Sequence, residues 1–171
     1  DIDAYFPELW ENLPAEKHQY IVSDPIFYKR VVLFTLKESG LTNISDFENE
    51  VLGVVQGFAY GTEIKSNPLI NLTFQENDNI NIKVVLNKRI DGVLGGYPGT
   101  ILAIKTQDTD GKIHYDIDKP VAILESFYVC KNNAEGIALC NSINKAIQSL
   151  MQKGVLELNR NTGASRLNTS E

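Results

Sequence analysis

The chain has 171 residues, 43% hydrophobic and 22% charged, with 22 acidic against 16 basic side chains and a formal net charge of −6. That length suits one ordinary globular core or two small lobes, and no apolar run approaches the roughly 20 residues needed to span a bilayer. The acidic balance, with no basic cluster beyond pairs such as Lys29-Arg30 and Lys88-Arg89, argues against a nucleic-acid partner.

The first segment reads as a short strand over residues 2–6 and then a polar turn in which Pro7 and Pro14 bracket the sole tryptophan, Trp10. The segment that organises the rest follows. Tyr20, Ile21 and Val22 are interrupted by Ser23-Asp24-Pro25, where proline fixes φ and disfavours helix just before it. Residues 31–36 are then apolar on both faces, β-branched and aromatic, with charge at either end. That is the signature of a strand buried on both sides, and we expect it to cross between two lobes.

Glu38-Ser39-Gly40 is a break. Ser45 lies three residues before Glu48, the spacing of a capping box, and predicts a short helix. Residues 51–55 read as a buried strand, Gly57 as a strand-to-helix turn, and 58–65 as a helix. Free backbone N–H groups at such a turn suit an anion or another hydrogen-bond acceptor. After the Asn67-Pro68 turn, residues 69–74 alternate as a half-buried strand. Residues 79–89 fit both periods, and a cap at Asp78 favours helix. Residues 90–94 form a strand ended by Gly95-Gly96, and Pro98 suits the first turn of the next helix. The middle of the chain is thus βα-βα-βα, the pattern of a mostly parallel sheet faced by helices.

Asp108 to Gly111 is an exposed turn. Residues 120–124 and 126–130 are strand-like, the second a return crossing. Ile137, Cys140, Ile143, Ile147, Leu150 and Met151 make an amphipathic helical stripe closed by Gly154. Residues 155–158 read as a turn or short helix, and the polar remainder as disordered. Cys130 and Cys140 are the only cysteines, without a Cys-x-x-Cys pattern or a Cys/His cluster. A zinc site is not expected, and the pair is either a disulfide or two buried thiols.

Several pieces in order resemble the family 3 extracellular solute-binding proteins. They are Asp3-Ala4, Ser23-Asp24-Pro25 with Tyr28, Val51 through Gly57, Arg89-Ile-Asp-Gly92, and the block from Val129 to Gly154. The resemblance implies an α/β fold of the type II periplasmic-binding-protein class, with two lobes of mostly parallel sheets, the first incomplete. It places residues 1–36 as a first-lobe segment plus crossing strand, 37–124 as the complete second lobe, and 125–171 as the return crossing, first-lobe helix and tail. The chain opens at Asp1 within a structural unit, so an N-terminal truncation is expected. An exposed first-lobe sheet edge would allow self-association.

The same resemblance implies a non-catalytic periplasmic protein that captures a small polar or cationic metabolite between its lobes for an ABC transporter permease. A sensory or regulatory domain of the same fold is the alternative. The implied ligand-binding residues are Phe6, Pro7, Glu8, Trp10, Gly57, Phe58, Tyr60 and Tyr97, and no catalytic residue, metal or cofactor is expected. Only Glu8 and Glu63 offer acid–base chemistry, and a lone carboxylate is a poor basis for catalysis. Amino acid binders of the family hold the ligand carboxylate with an arginine shortly before Ser-Asp-Pro. Here that stretch is Ala15-Glu-Lys-His18, where Lys17 offers only a point charge. Gly95-Gly96-Tyr97 stands where the family places an acidic partner for the ligand ammonium. Aromatic residues with one carboxylate suit a cationic ligand through cation–π contact.

Overall fold

The structure, a computed structural model, describes residues 3–13 and 16–168. The expectations for Ile2 and Pro14 lie outside the described residues. In chain order the elements are β1 (Ala4–Leu9), β2 (Tyr20–Val22), β3 (Phe27–Leu36), β4 (Val51–Val55), α1 (Thr62–Ser66), β5 (Asn71–Gln75), α2 (Asp78–Leu86), β6 (Gly92–Tyr97), α3 (Gly99–Gln107), β7 (Ile113–Tyr115), β8 (Ala122–Lys131), α4 (Ala134–Gln152), β9 (Leu156–Asn159) and β10 (Ala164–Leu167). Short 3-10 turns sit at Trp10–Asn12, Lys17–Gln19, Lys37–Ser39 and Ile44–Asp46. The chain divides into two units, Asp1–Lys29 with Leu124–Glu171, and Arg30–Ile123, so β3 and β8 carry it from one to the other.

The Arg30–Ile123 unit is a mixed α/β sheet with two packed faces. β4 lies between β5 and β6, parallel to both. β6 pairs antiparallel with β3, and β7 pairs antiparallel with β3. Val32, Phe34 and Leu36 on one face of β3 meet Ile82 and Val85 of α2 and Ala103 and Ile104 of α3. On the other face Val31 and Leu33 are buried as well. The both-sides-buried reading of residues 31–36 therefore holds.

Several boundaries depart from the sequence pattern, each for a local reason. The 3-10 turn at Ile44–Asp46 is opened by Asn43, not Ser45. The Asp46 carboxylate accepts the Asn43 and Thr42 N–H groups at 2.8 and 2.9 Å, and those donors hold it below the usual carboxylate range. Residues 58–61 are not helical, because Gly61 has φ 100° and Tyr60 turns inward. α2 is capped by Asn77, whose side chain accepts the Ile80 N–H at 3.0 Å, one residue before the expected Asp78. β6 runs on through Gly95 and Gly96, which pair with Val32 and Val31. A Cβ at Gly95 would overlap Thr100 of α3, so glycine there permits close packing rather than ending the strand. Phe74 of β5 is exposed, since β5 lies at the end of the strand order and only β4 flanks it.

In the other unit β8 is the central strand, with β1 and β2 antiparallel on it. Leu13, Phe127 and Val129 form a small core joined by Tyr20 and Val22. β1 reaches Leu9, beyond the expected end at Phe6, through an irregularity between Tyr5 and Glu8. β8 is one ten-residue strand where the sequence suggested two. α4 is capped by Asn133, which accepts the Gly136 N–H at 2.8 Å, and closed by Gly154 at φ 66°. Its Cys140 forms a disulfide with Cys130 of β8, resolving the two alternatives. Asn144 of α4 accepts the Asp24 N–H at 2.7 Å, tying the Ser-Asp-Pro break to the helix. Residues 156–167 form a β9–β10 hairpin instead of a helix turn and a disordered tail. Its turn is set by Asn159, whose side chain accepts the N–H groups of Asn161 and Thr162.

Candidate functional site

The implied ligand residues fall on both units. Phe6, Pro7 and Glu8 lie along β1, and Trp10 opens the following turn. The Phe6 ring stacks on Tyr128 of β8 at 4.5 Å between centroids and meets Phe27 edge-on at 6.1 Å. Pro7 is exposed and Glu8 half-buried, its carboxylate accepting the Leu9 N–H at 2.9 Å. Trp10 packs edge-on against Phe127 and is 53% exposed. The Lys17 ammonium lies 4.9 Å from the centroid of the Trp10 ring and donates to the Trp10 carbonyl at 3.2 Å.

In the Arg30–Ile123 unit, Gly57 follows β4 with φ 81°, a conformation that favours glycine. The Phe58 N–H donates back to the Val55 carbonyl at 3.3 Å. The turn is therefore closed on itself, and the helix N-terminus expected beside Gly57 is absent. Phe58 is half exposed beside a cavity of about 330 Å³ that Asn77, Asp78, Gly99 and Thr106 also line. Tyr60 is 2% exposed, and its hydroxyl accepts the Val55 N–H at 2.8 Å. Burial, with a smaller contribution from Asp78, pushes its phenol up to about 12. Tyr60 thus holds the turn after β4 from inside and presents no surface to a ligand, which corrects the sequence expectation.

Tyr97 is the last residue of β6. β4 and β6 run parallel, so Gly57, just past the end of β4, and Tyr97, at the end of β6, both lie toward their C-terminal side. Gly57, Phe58 and Tyr97 therefore share the C-terminal edge of the parallel strands, where ligands bind in open α/β sheets. Arg30 is placed directly across from Tyr97 by the β3–β6 register. Its guanidinium carbon sits 4.3 Å from the Tyr97 ring centroid, and its Nη1 donates to the Ile117 carbonyl at 3.1 Å. Sequence reasoning missed Arg30. Its signal is a charge at the mouth of a buried strand, in the Lys29-Arg30 pair.

The rings of Trp10 and Tyr97 each already carry a cation from their own chain. A second cation on the same face would be repelled, which leaves a ligand cation the opposite face of either ring. A cavity of about 530 Å³ lies elsewhere in the Arg30–Ile123 unit, lined by Leu33, Asn43, Ile44, His114, Asp116 and Lys119 among others. Among the described residues no group of three or more His, Cys, Asp or Glu side chains is placed to hold a metal ion, and no helix is long and apolar enough to cross a membrane.

No protein-family model matches the chain, and no curated protein sequence matches it. Solved structures do match. The substrate-binding protein of an amino acid ABC transporter superposes with a TM-score of 0.60 at 17% identity, over 82% of this chain and 62% of its own. The solute receptor for L-cysteine of Neisseria gonorrhoeae gives 0.63 at 14%, over 90% of this chain and 60% of its own. The GluR0 ligand-binding core from Nostoc punctiforme, in complex with L-glutamate, gives 0.61 at 19%, over 83% and 64%.

The chain therefore has an α/β fold shared with binding proteins and receptors for small molecules. It is the type II periplasmic-binding-protein fold, as the sequence resemblance implied. The chain spans just over three-fifths of the length of the first structures it matches.

Proposed function

We propose that this chain belongs to a solute-binding protein that captures a small polar molecule for uptake through an ABC transporter. The observation that carries this reading is the fold shared with amino acid binding proteins. The edge formed by Gly57, Phe58, Tyr97 and Arg30 supports it, because it lies where α/β sheets bind ligands. The two units stand for the two lobes, and ligand acts by shifting a conformational equilibrium toward the bound form. No acid–base pair belongs to this reading, and the protein is a receptor without catalysis. The Cys130–Cys140 disulfide favours an oxidising compartment, in keeping with the periplasm.

A sensory ligand-binding domain is the second reading, favoured by the likeness to the GluR0 ligand-binding core. Self-association through the outer strand of the first-lobe segment is the less favoured contact. β1 is an outer strand there, and Pro7 within it has no N–H to give to another chain.

Isothermal titration of the full-length protein against the standard L-amino acids and simple polyamines tests the reading. Saturable heat with at least one of them is expected. Absence of heat with every one of them would overturn it.

A further inference from the structure

Each unit has an outer strand, β1 in one and β5 in the other, and the two are built differently. β1 carries Pro7, Glu8 and an irregular register, all of which blunt an edge. β5, Asn71-Leu-Thr-Phe-Gln75, has no proline, glycine or charge, in a chain of net charge −6. Its one neighbour among the described strands is β4, with Leu52 beside Leu72 and Val54 beside Phe74. Those four side chains share a face, on which Leu52 and Val54 are buried while Phe74 is 60% exposed. The backbone is equally one-sided. The Gln75 carbonyl accepts the Gln56 N–H at 3.0 Å, so Gln75 and, by alternation, Thr73 and Asn71 turn their groups toward β4. Leu72 and Phe74 turn theirs outward, where no described strand lies. An apolar edge with an open ladder is a template for another strand.

We infer that β5 is the surface through which two copies of this chain associate, by antiparallel pairing about a two-fold axis at Thr73. Antiparallel strands alternate between pairs that exchange two hydrogen bonds and pairs that exchange none. With the axis at Thr73, that residue faces its own copy in a non-bonded pair. Leu72 faces Phe74 of the second copy, and Phe74 faces Leu72, in pairs that exchange two bonds each. These are the residues whose backbone groups point outward in the single chain. The same register sets leucine against phenylalanine twice, so the apolar stripe runs unbroken from one β4 to the other. On the opposite face Asn71 meets Gln75, two amides that both donate and accept. Charge permits the pairing. Glu76, just past β5, lies opposite Ile70. The two copies of Glu76 stand three residues to either side of the axis, about 20 Å apart, where the screening length is about 8 Å. An axis at Phe74 would instead press Glu76 onto Leu72. The strand offers five residues a side, against roughly 20–30 in a standard interface, so the dimer is a weak one. The pairing uses the flank of the sheet, not the strand ends where Gly57 and Tyr97 lie, and is independent of solute.

The test is sedimentation velocity of the chain over a range of concentrations. A reversible monomer–dimer equilibrium is expected, with a dissociation constant between about 10 µM and 1 mM. Phe74→Lys should weaken it at least about tenfold, because it replaces the exposed ring by a charge about 7–8 Å from its symmetry mate. Leu102→Lys removes another exposed apolar side chain, on α3, and should leave the equilibrium as it was. A second measurement needs no variant to fold. In the unsubstituted chain the Leu72 and Phe74 amides should exchange hydrogen more slowly as concentration rises, while the Thr73 amide, already turned to β4, keeps its protection. A chain that stays monomeric to about 1 mM overturns the inference. So does a dimer that Phe74→Lys leaves intact, one that Leu102→Lys weakens equally, or one in which the Leu72 and Phe74 amides gain no protection.

Discussion

Tyr60 illustrates how one hydroxyl can set local structure. By accepting the Val55 N–H it draws the chain inward after β4 and keeps residues 58–61 out of the helix that their composition suggested. Tyr60→Phe removes the acceptor from a buried donor, and should destabilise the protein by about 1–3 kcal/mol in urea unfolding. The raised phenol also predicts a pH dependence. A group at about 12 when folded and near 10 when unfolded holds its proton more tightly in the native state. Its contribution is complete below about pH 10 and is lost as pH rises from there toward about 12, by up to roughly 2–3 kcal/mol. The difference in stability between wild type and Tyr60→Phe should therefore shrink over that interval. Neither Tyr60 nor Arg30 was legible as it stands. An aromatic near a glycine turn reads as a pocket residue, and a charge pair reads as solvated. The inward turn and the cross-strand register that decide both depend on neighbours remote in the chain.

Among the elements, those fixed by local chemistry were readable. Residues 31–36 have apolar side chains on both faces, and α4 has a clear stripe with Gly154 at its end. α2 was ambiguous because Ile80, Ile82, Val84 and Val85 are β-branched, and its helix depends on the Asn77 cap and on burial of Ile82 and Val85 against the sheet. The β9–β10 hairpin was missed because its strands are short: Leu156-Glu-Leu-Asn159 alternates too briefly to be told from a turn, and Ala164–Leu167 exposes most of its side chains. Gly136 offers a test of which force governs the start of α4. Alanine has the better helix propensity by about 1 kcal/mol. A Cβ there would, however, overlap the Lys131 carbonyl oxygen and lie 2.9 Å from its carbon, and backbone cannot swing aside as a side chain can. Gly136→Ala should thus lose about 1–3 kcal/mol through overpacking, seen as a lower melting temperature.

The whole molecule combines two units with different means of stabilisation. The Arg30–Ile123 unit has a broad core between sheet and helices and contains neither cysteine. The other has a small core and the Cys130–Cys140 link across ten residues of sequence. Closing so short a loop restrains the unfolded chain by roughly 2–3 kcal/mol. A Cys130→Ala/Cys140→Ala double variant should accordingly show faster amide hydrogen exchange over residues 124–168, while residues 30–123 keep their protection. Equal acceleration in both units would show that they unfold as one. Trp10 sits in the disulfide-bearing unit, largely open to water, and no second indole exists anywhere in the sequence. The ultraviolet emission of indole consequently belongs to one end of the polypeptide alone. Quenching by iodide or a red shift during a denaturation experiment would follow that end and stay blind to the remainder, so a second optical label is needed before either trace is taken as the history of the entire protein.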